Sequence, residues 1–151
     1  MRVRRVRQNE ALEAWRAADE IAVQKKQSRR LGAGNEAHAV GQVELALLAA
    51  GIGPGDKVIT VANTVTATVS AIVATGAKPV FADIEPGTML LDVAALETML
   101  TKLRDPKIKA VVPVHLYGQA VDMPRLMEVA GRHHLFVLED CAQAHGSLVG
   151  G

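Results

Sequence analysis

From Val43 onward the apolar positions fall into short blocks separated by glycine, proline and aspartate, and helical and strand periodicities alternate along them. Val43 to Ala50 reads as an apolar helix. Gly51-Ile52-Gly53-Pro54-Gly55-Asp56 follows as a turn, with glycine at the helix end. Lys57 to Ala62 is a short β-branched strand, Thr64 to Thr75 a helix of small residues closed by Gly76, and Pro79 to Ala82 a second strand. Pro86-Gly87 turns the chain, and Asp92 caps a helix running to about Leu103. Ile108 to Val114 reads as a third strand, Asp122 to His133 as a helix introduced by Met123-Pro124, and Leu135 to Leu138 as a fourth strand. Strands that are apolar on both faces and separated by helices specify an α/β fold, a parallel sheet covered by helices on each side. After the fourth strand come only the site segment and Ser147-Leu148-Val149-Gly150-Gly151, with no further helix, so the sheet is expected to be incomplete at its C-terminal side.

The head of the chain breaks this rhythm. Residues 9–27 suggest a helix with a ragged apolar face (Leu12, Trp15, Ile21, Val23), and Gln27-Ser28-Arg29-Arg30 with Gly32-Ala33-Gly34-Asn35 form a loop to the body. Charge divides at the same place: residues 1–35 hold nine Lys/Arg against four Asp/Glu, and residues 36–151 hold eight against twelve. The chain thus divides into an atypical basic head, 1–35, and a body, 36–151. Arg2, Arg4, Arg5 and Arg7 lack interleaved aromatics, so the basic head does not point to nucleic acid. With 49% apolar residues but one Trp, one Tyr and two Phe, the core must be built from Ala, Val, Leu and Ile. A lone cysteine, Cys141, excludes an internal disulfide. No apolar run reaches the roughly 18 residues of a membrane span, and no signal-peptide core follows the charged start, so a soluble cytoplasmic protein is expected.

In an open parallel sheet, ligands collect outside the carboxyl ends of the strands. Two polar clusters fall there: Pro113-Val114-His115-Leu116-Tyr117-Gly118-Gln119 and Glu139-Asp140-Cys141-Ala142-Gln143-Ala144-His145-Gly146. A carboxylate at the rim of a mostly apolar site needs a cationic partner, and a protonated pyridine nitrogen is one. Asp140 in that role would keep the ring electron-poor; in the plainer alternative it caps the segment that follows it. Gly32-Ala33-Gly34-Asn35-Glu36-Ala37 fits a dinucleotide fingerprint with Asp56 about 20 residues on. No strand precedes Gly32, however, and Asp56 belongs to a turn.

Several ordered segments together resemble the DegT/StrS-type family of nucleotide-sugar aminotransferases. They are Gly51 to Ile59, Ala62-Asn63-Thr64 with Ala67-Thr68, Gly76 to Ile84, Pro113 to Gln119, and the Asp140 segment, and the similarity covers roughly residues 38–148. The resemblance implies the large domain of a fold-type I pyridoxal 5'-phosphate enzyme. The implied reaction moves an amino group from a donor such as glutamate onto a nucleotide-linked keto sugar in amino-sugar, polysaccharide or antibiotic-sugar synthesis, and an intact relative is expected to be a homodimer. Asp140 is then expected at the pyridine nitrogen and Gln143 near the phenolic oxygen, with Thr64 and Val65 also against the cofactor. His115, Tyr117 and His145 line the site in one reading and serve packing or capping in the other. Cys141 is expected to be a small buried residue, not a nucleophile.

The sequence also departs from the family. Family members place a Ser-Gly-Thr phosphate cup between a His-Ala-Val-Gly-like strand and the next helix; here His38-Ala39-Val40-Gly41 runs straight through Gln42 into Val43. Val65 stands where an aromatic ring usually lies against the cofactor. The lysine that carries the cofactor covalently follows the Asp140 segment in the family, which puts its expected position beyond Gly151. Lys57, Lys78, Lys102, Lys107 and Lys109 do not match its motif. The expectation is a family member whose own 151 residues hold no catalytic lysine and do not turn over, with a sheet left open at its last strand. The alternative is a non-catalytic module that binds a nucleotide sugar or a partner.

Overall fold

The computed structural model describes residues 35–148. The helix expected over residues 9–27, residues 1–34 of the basic head and the Gly32-Ala33-Gly34 motif lie outside the described residues. So do Val149, Gly150 and Gly151. Helix α1 (Asn35–Ala49) is followed by β1 (Lys57–Val61), α2 (Thr66–Ala74), β2 (Lys78–Ala82), α3 (Val93–Leu103), β3 (Ile108–Val111), α4 (Met123–His133) and β4 (Phe136–Val137). The strands form one parallel sheet in the order β2-β1-β3-β4, confirming the α/β class.

Strand β1 lies at the centre because its residues are apolar or hydrogen-bonded on both faces. Ile59 and Val61 join Leu96 and Leu100 of α3 and Leu126 and Val129 of α4 in one core. Val58, together with Ala110 and Val112, meets Leu47 of α1 and Ile72 of α2 in the other. Thr60 is the polar member of the buried strand, and its hydroxyl donates to the Val112 carbonyl at 3.0 Å, so its buried donor is paired. The outer strands differ from the expectation that all strands are apolar on both faces. In β2, Lys78 and Phe81 are exposed and only Ala82 is buried, while β4 has an exposed Phe136. Among the described residues each of these strands has a neighbour on one side only, and helices cover them less completely.

Element ends follow local chemistry. Asp92 Oδ1 accepts the backbone N–H groups of Ala94 and Ala95, both at 2.9 Å, which caps α3 as expected. Asp122 caps α4 in the same way through the Arg125 N–H at 3.2 Å. Helix α2 begins at Thr66, two residues later than the sequence pattern suggests, because Val65 is extended (φ −71°, ψ 149°). Strand β3 stops at Val111 rather than Val114, since Pro113 has no N–H to continue the ladder. Strand β4 keeps only Phe136 and Val137 of the four residues expected. The largest correction is α1: His38–Gly41, expected at a strand position, is helical and continuous with the helix that follows. With no strand-to-helix loop between them, the Ala-rich run simply extends the helix toward its N-terminus.

Gly76 ends α2 with φ +84°, and a Cβ placed there would meet Pro54 Cγ at 2.8 Å. Gly76→Ala should therefore cost about 1–3 kcal/mol in urea unfolding, whereas Gly87→Ala, where a Cβ meets nothing, should stay within about 0.5 kcal/mol. At the same end of the sheet Lys57 Nζ donates to Asp105 Oδ2 at 2.6 Å, and the Lys107 N–H donates to Asp105 Oδ1 at 2.9 Å. These bonds, the Lys57 one foremost, hold the Asp105 carboxyl below its usual range. A lowered folded-state value stabilises the fold above the unfolded pKa and is lost as pH falls through the folded one. The stability deficit of Asp105→Asn should therefore be present at neutral pH and shrink below about pH 4 in denaturation midpoints taken across pH.

Candidate active site

Because every strand runs the same way, the segments that leave β1, β3 and β4 emerge on one edge of the sheet. Those segments are Ala62-Asn63-Thr64, Pro113 to Gln119 and Glu139 to Gly146. Past the interruption at Pro113 the last two stay paired. The Asp140 N–H donates to the Pro113 carbonyl at 3.0 Å, and the His115 N–H donates to the Asp140 carbonyl at 3.0 Å. The main chain at Asp140 is thus held by the continuation of β3.

The Asp140 side chain is held as well. Its Oδ2 accepts from the Thr68 hydroxyl at 2.9 Å, and its Oδ1 accepts from the Ala142 N–H at 3.2 Å. Thr64 stands behind Thr68, with the two hydroxyl oxygens 3.1 Å apart. Sequence reasoning gave Thr68 no role of its own. Thr64 and Thr68 are four residues apart, but the helix starts only at Thr66, so no helical spacing marks the pair in the sequence.

His115 is 3% exposed, and both ring nitrogens are committed. The Val121 N–H donates to Nδ1 at 3.1 Å, so the ring proton sits on Nε2, which donates to Glu139 Oε2 at 3.0 Å. His115 therefore fastens the loop after β3 to the residue preceding Asp140. The ligating atoms of His115, Glu139 and Cys141 lie within 4.8 Å of one another. A metal there would need the Nε2 lone pair, and the tautomer fixed by Val121 puts a proton on that nitrogen.

Cys141 is exposed, correcting the expectation of a buried residue: it follows the last ladder contact, where the chain turns outward. Loss of hydration around the sulfur, followed by the charges of Glu139 and Asp140, pushes its thiol above the usual range. Tyr117 (φ +58°) and Gly118 (φ +74°) are consecutive left-handed residues. That bend sends the Gly118 N–H to the Gln143 carbonyl at 3.1 Å, bringing the Gln143 loop against the loop after β3. The side chains of Tyr117, Gln143 and His145 are exposed, and Val65 is half-exposed just ahead of α2. The structure thus joins Asp140 and Thr64 through Thr68, and brings up the Gln143 backbone. It leaves Tyr117, Val65 and His145 at the surface.

A model of the DegT/DnrJ/EryC1/StrS aminotransferase family matches residues 34–151. The chain belongs to this family. It is 46% identical over 132 residues to a pleiotropic regulatory protein of Geobacillus stearothermophilus, a match covering 87% of this chain and 34% of that one. It is 49% identical over 117 residues to the dTDP-3-amino-3,4,6-trideoxy-alpha-D-glucose transaminase of Micromonospora megalomicea subsp. nigra, covering 74% of this chain and 30% of the relative. The crystal structure of NtdA from Bacillus subtilis with bound cofactor PMP superposes with a TM-score of 0.67 at 38% identity, over 72% of this chain and 24% of that one. The chain spans about a third of the length of the curated relatives it matches.

Members of this aminotransferase family use pyridoxal phosphate, and the site can be tested against that group. The ring end fits: each Asp140 oxygen accepts one hydrogen bond and keeps a lone pair for a protonated ring nitrogen. The phosphate end does not fit among the described residues. Helix α1 runs unbroken across Gly41 to Val43, so the N–H groups there are spent on helical bonds.

Iodoacetamide should alkylate Cys141 slowly at neutral pH and faster as pH rises past the usual thiol range. Glu139→Gln should speed the reaction at fixed pH, read by mass spectrometry of the modified peptide.

Proposed function

We propose that residues 36–151 form an incomplete large domain of a PLP-dependent aminotransferase acting on a nucleotide-linked keto sugar, and that these residues alone do not transaminate. The observation that carries the reading is the Asp140 carboxylate at the strand ends, held by Thr68 on one oxygen and the Ala142 N–H on the other. Family membership and a sugar transaminase at 49% identity support the reaction class. Glutamate or a similar amine is the proposed donor, the intact enzyme is proposed to be a homodimer, and the proposed setting is the cytoplasm. Among the described residues no helix is long and apolar enough to cross a membrane.

When bound, pyridoxal phosphate supplies an electron-accepting ring. In this proposal Asp140 keeps a proton on the ring nitrogen, Gln143 lies toward the phenolic oxygen, Thr64 and Val65 border the ring, and Tyr117 and His145 stand at the mouth. His115 acts indirectly by holding the segment that carries Asp140. The unbroken α1 favours, as a second reading, a non-catalytic module that binds a nucleotide sugar or a partner.

Titration of the chain with pyridoxal phosphate and with pyridoxal tests the proposal. Both should bind weakly and with similar affinity, because the phosphate finds no cup among the described residues. Asp140→Asn should weaken each by about tenfold or more, the size expected for a charge-assisted hydrogen bond. Glutamate should release no oxoglutarate. Amine transfer by these 151 residues, or Asp140-dependent binding with a lysine adduct after borohydride reduction, would refute the proposed inactivity.

A further inference from the structure

Thr68 is 1% exposed, and its hydroxyl has two polar neighbours: Asp140 Oδ2 at 2.9 Å and Thr64 Oγ1 at 3.1 Å. A carboxylate only accepts, so the one Thr68 proton goes to Asp140. Thr68 can then meet Thr64 only by accepting, and the Thr64 proton points inward to Thr68. The chain of bonds has a single direction, from Thr64 through Thr68 to Asp140. It joins the start of α2 to the far side of β3, across 72 residues of sequence. Asp140 Oδ1 is held separately by its own loop through the Ala142 N–H. The two carboxylate oxygens are therefore tied to different parts of the fold, and among the described residues only the Thr68 bond ties the side chain to a helix of the core.

We infer that Thr68 is a positioning residue for Asp140: its buried hydroxyl, polarised by Thr64, sets the orientation of the carboxylate before a cationic nitrogen heterocycle arrives. Burial strengthens the role, because a donor in a low-dielectric setting interacts more strongly with a carboxylate and has no water to replace its partner. Ligand binding at Asp140 rests on the function proposed above; the orientation of the free side chain does not.

The test uses the 151-residue chain. In its NMR spectra the Thr68 hydroxyl proton should exchange slowly enough to give a resolved resonance, and the Asp140 χ1 couplings should report one rotamer. Thr68→Val should average those couplings, and Thr68→Ser should restore the single rotamer. Thr64→Val, which leaves the Thr68 donor in place, should keep it. Pyridoxal affinity should fall about three- to tenfold in Thr68→Val and change less than about twofold in Thr68→Ser. Unaveraged Asp140 couplings in Thr68→Val overturn the inference. If that variant does not fold, a parent Thr68 hydroxyl exchanging as fast as free threonine overturns it instead. If the parent shows the single rotamer and its loss in Thr68→Val but no pyridoxal binding, the ring-binding reading fails and the positioning role stands.

Discussion

Burial of β1 on both faces is the constraint from which the rest of the structure follows. A strand with Val58 on one side and Ile59 and Val61 on the other needs two separate apolar covers. Helices α1 and α2 supply one, and α3 and α4 the other. Crossover helices force the strands to run parallel. Parallel strands in turn deliver the loops after β1, β3 and β4 to the same edge. The site is thus a product of core packing: Thr64, His115 and Asp140 lie far apart in sequence and meet because the strands ahead of them share one register.

At that edge the polar groups are arranged so that each fixes the next. Pro113 breaks the β3 ladder, yet its carbonyl accepts the Asp140 N–H, so the interruption costs no alignment. His115 uses both ring nitrogens to hold Val121 and Glu139. Thr68 reaches Asp140 from the helix on the other side. The outcome is a single well-supported carboxylate in a chain of the aminotransferase family. The continuous α1 leaves no anion-binding loop at its midpoint.

Much of this was legible in the sequence. The alternation of apolar blocks with glycine and proline located every described helix and strand. Asp92 and Asp122 marked their helix starts through side-chain capping, which is a local property. The ordered segments from Gly51 to Gly146 identified the family, and His38-Ala39-Val40-Gly41 running directly into Gln42 showed that no phosphate loop stands there. Strand ends were less legible: the β3 stop at Val111 depends on the missing N–H of Pro113, and the short β4 depends on its neighbours.

What the sequence determined alone was whatever rests on contacts within a few residues: periodicity, caps, turns and the chemical type of Asp140. Tertiary structure decided which of the candidate residues act together. It placed Thr68 against Asp140, gave His115 a fixed tautomer through Val121, exposed Cys141 and left Tyr117 and His145 at the surface. Each of these depends on partners brought together by sheet register, and a hydrogen bond across 72 residues has no local signature from which it can be read.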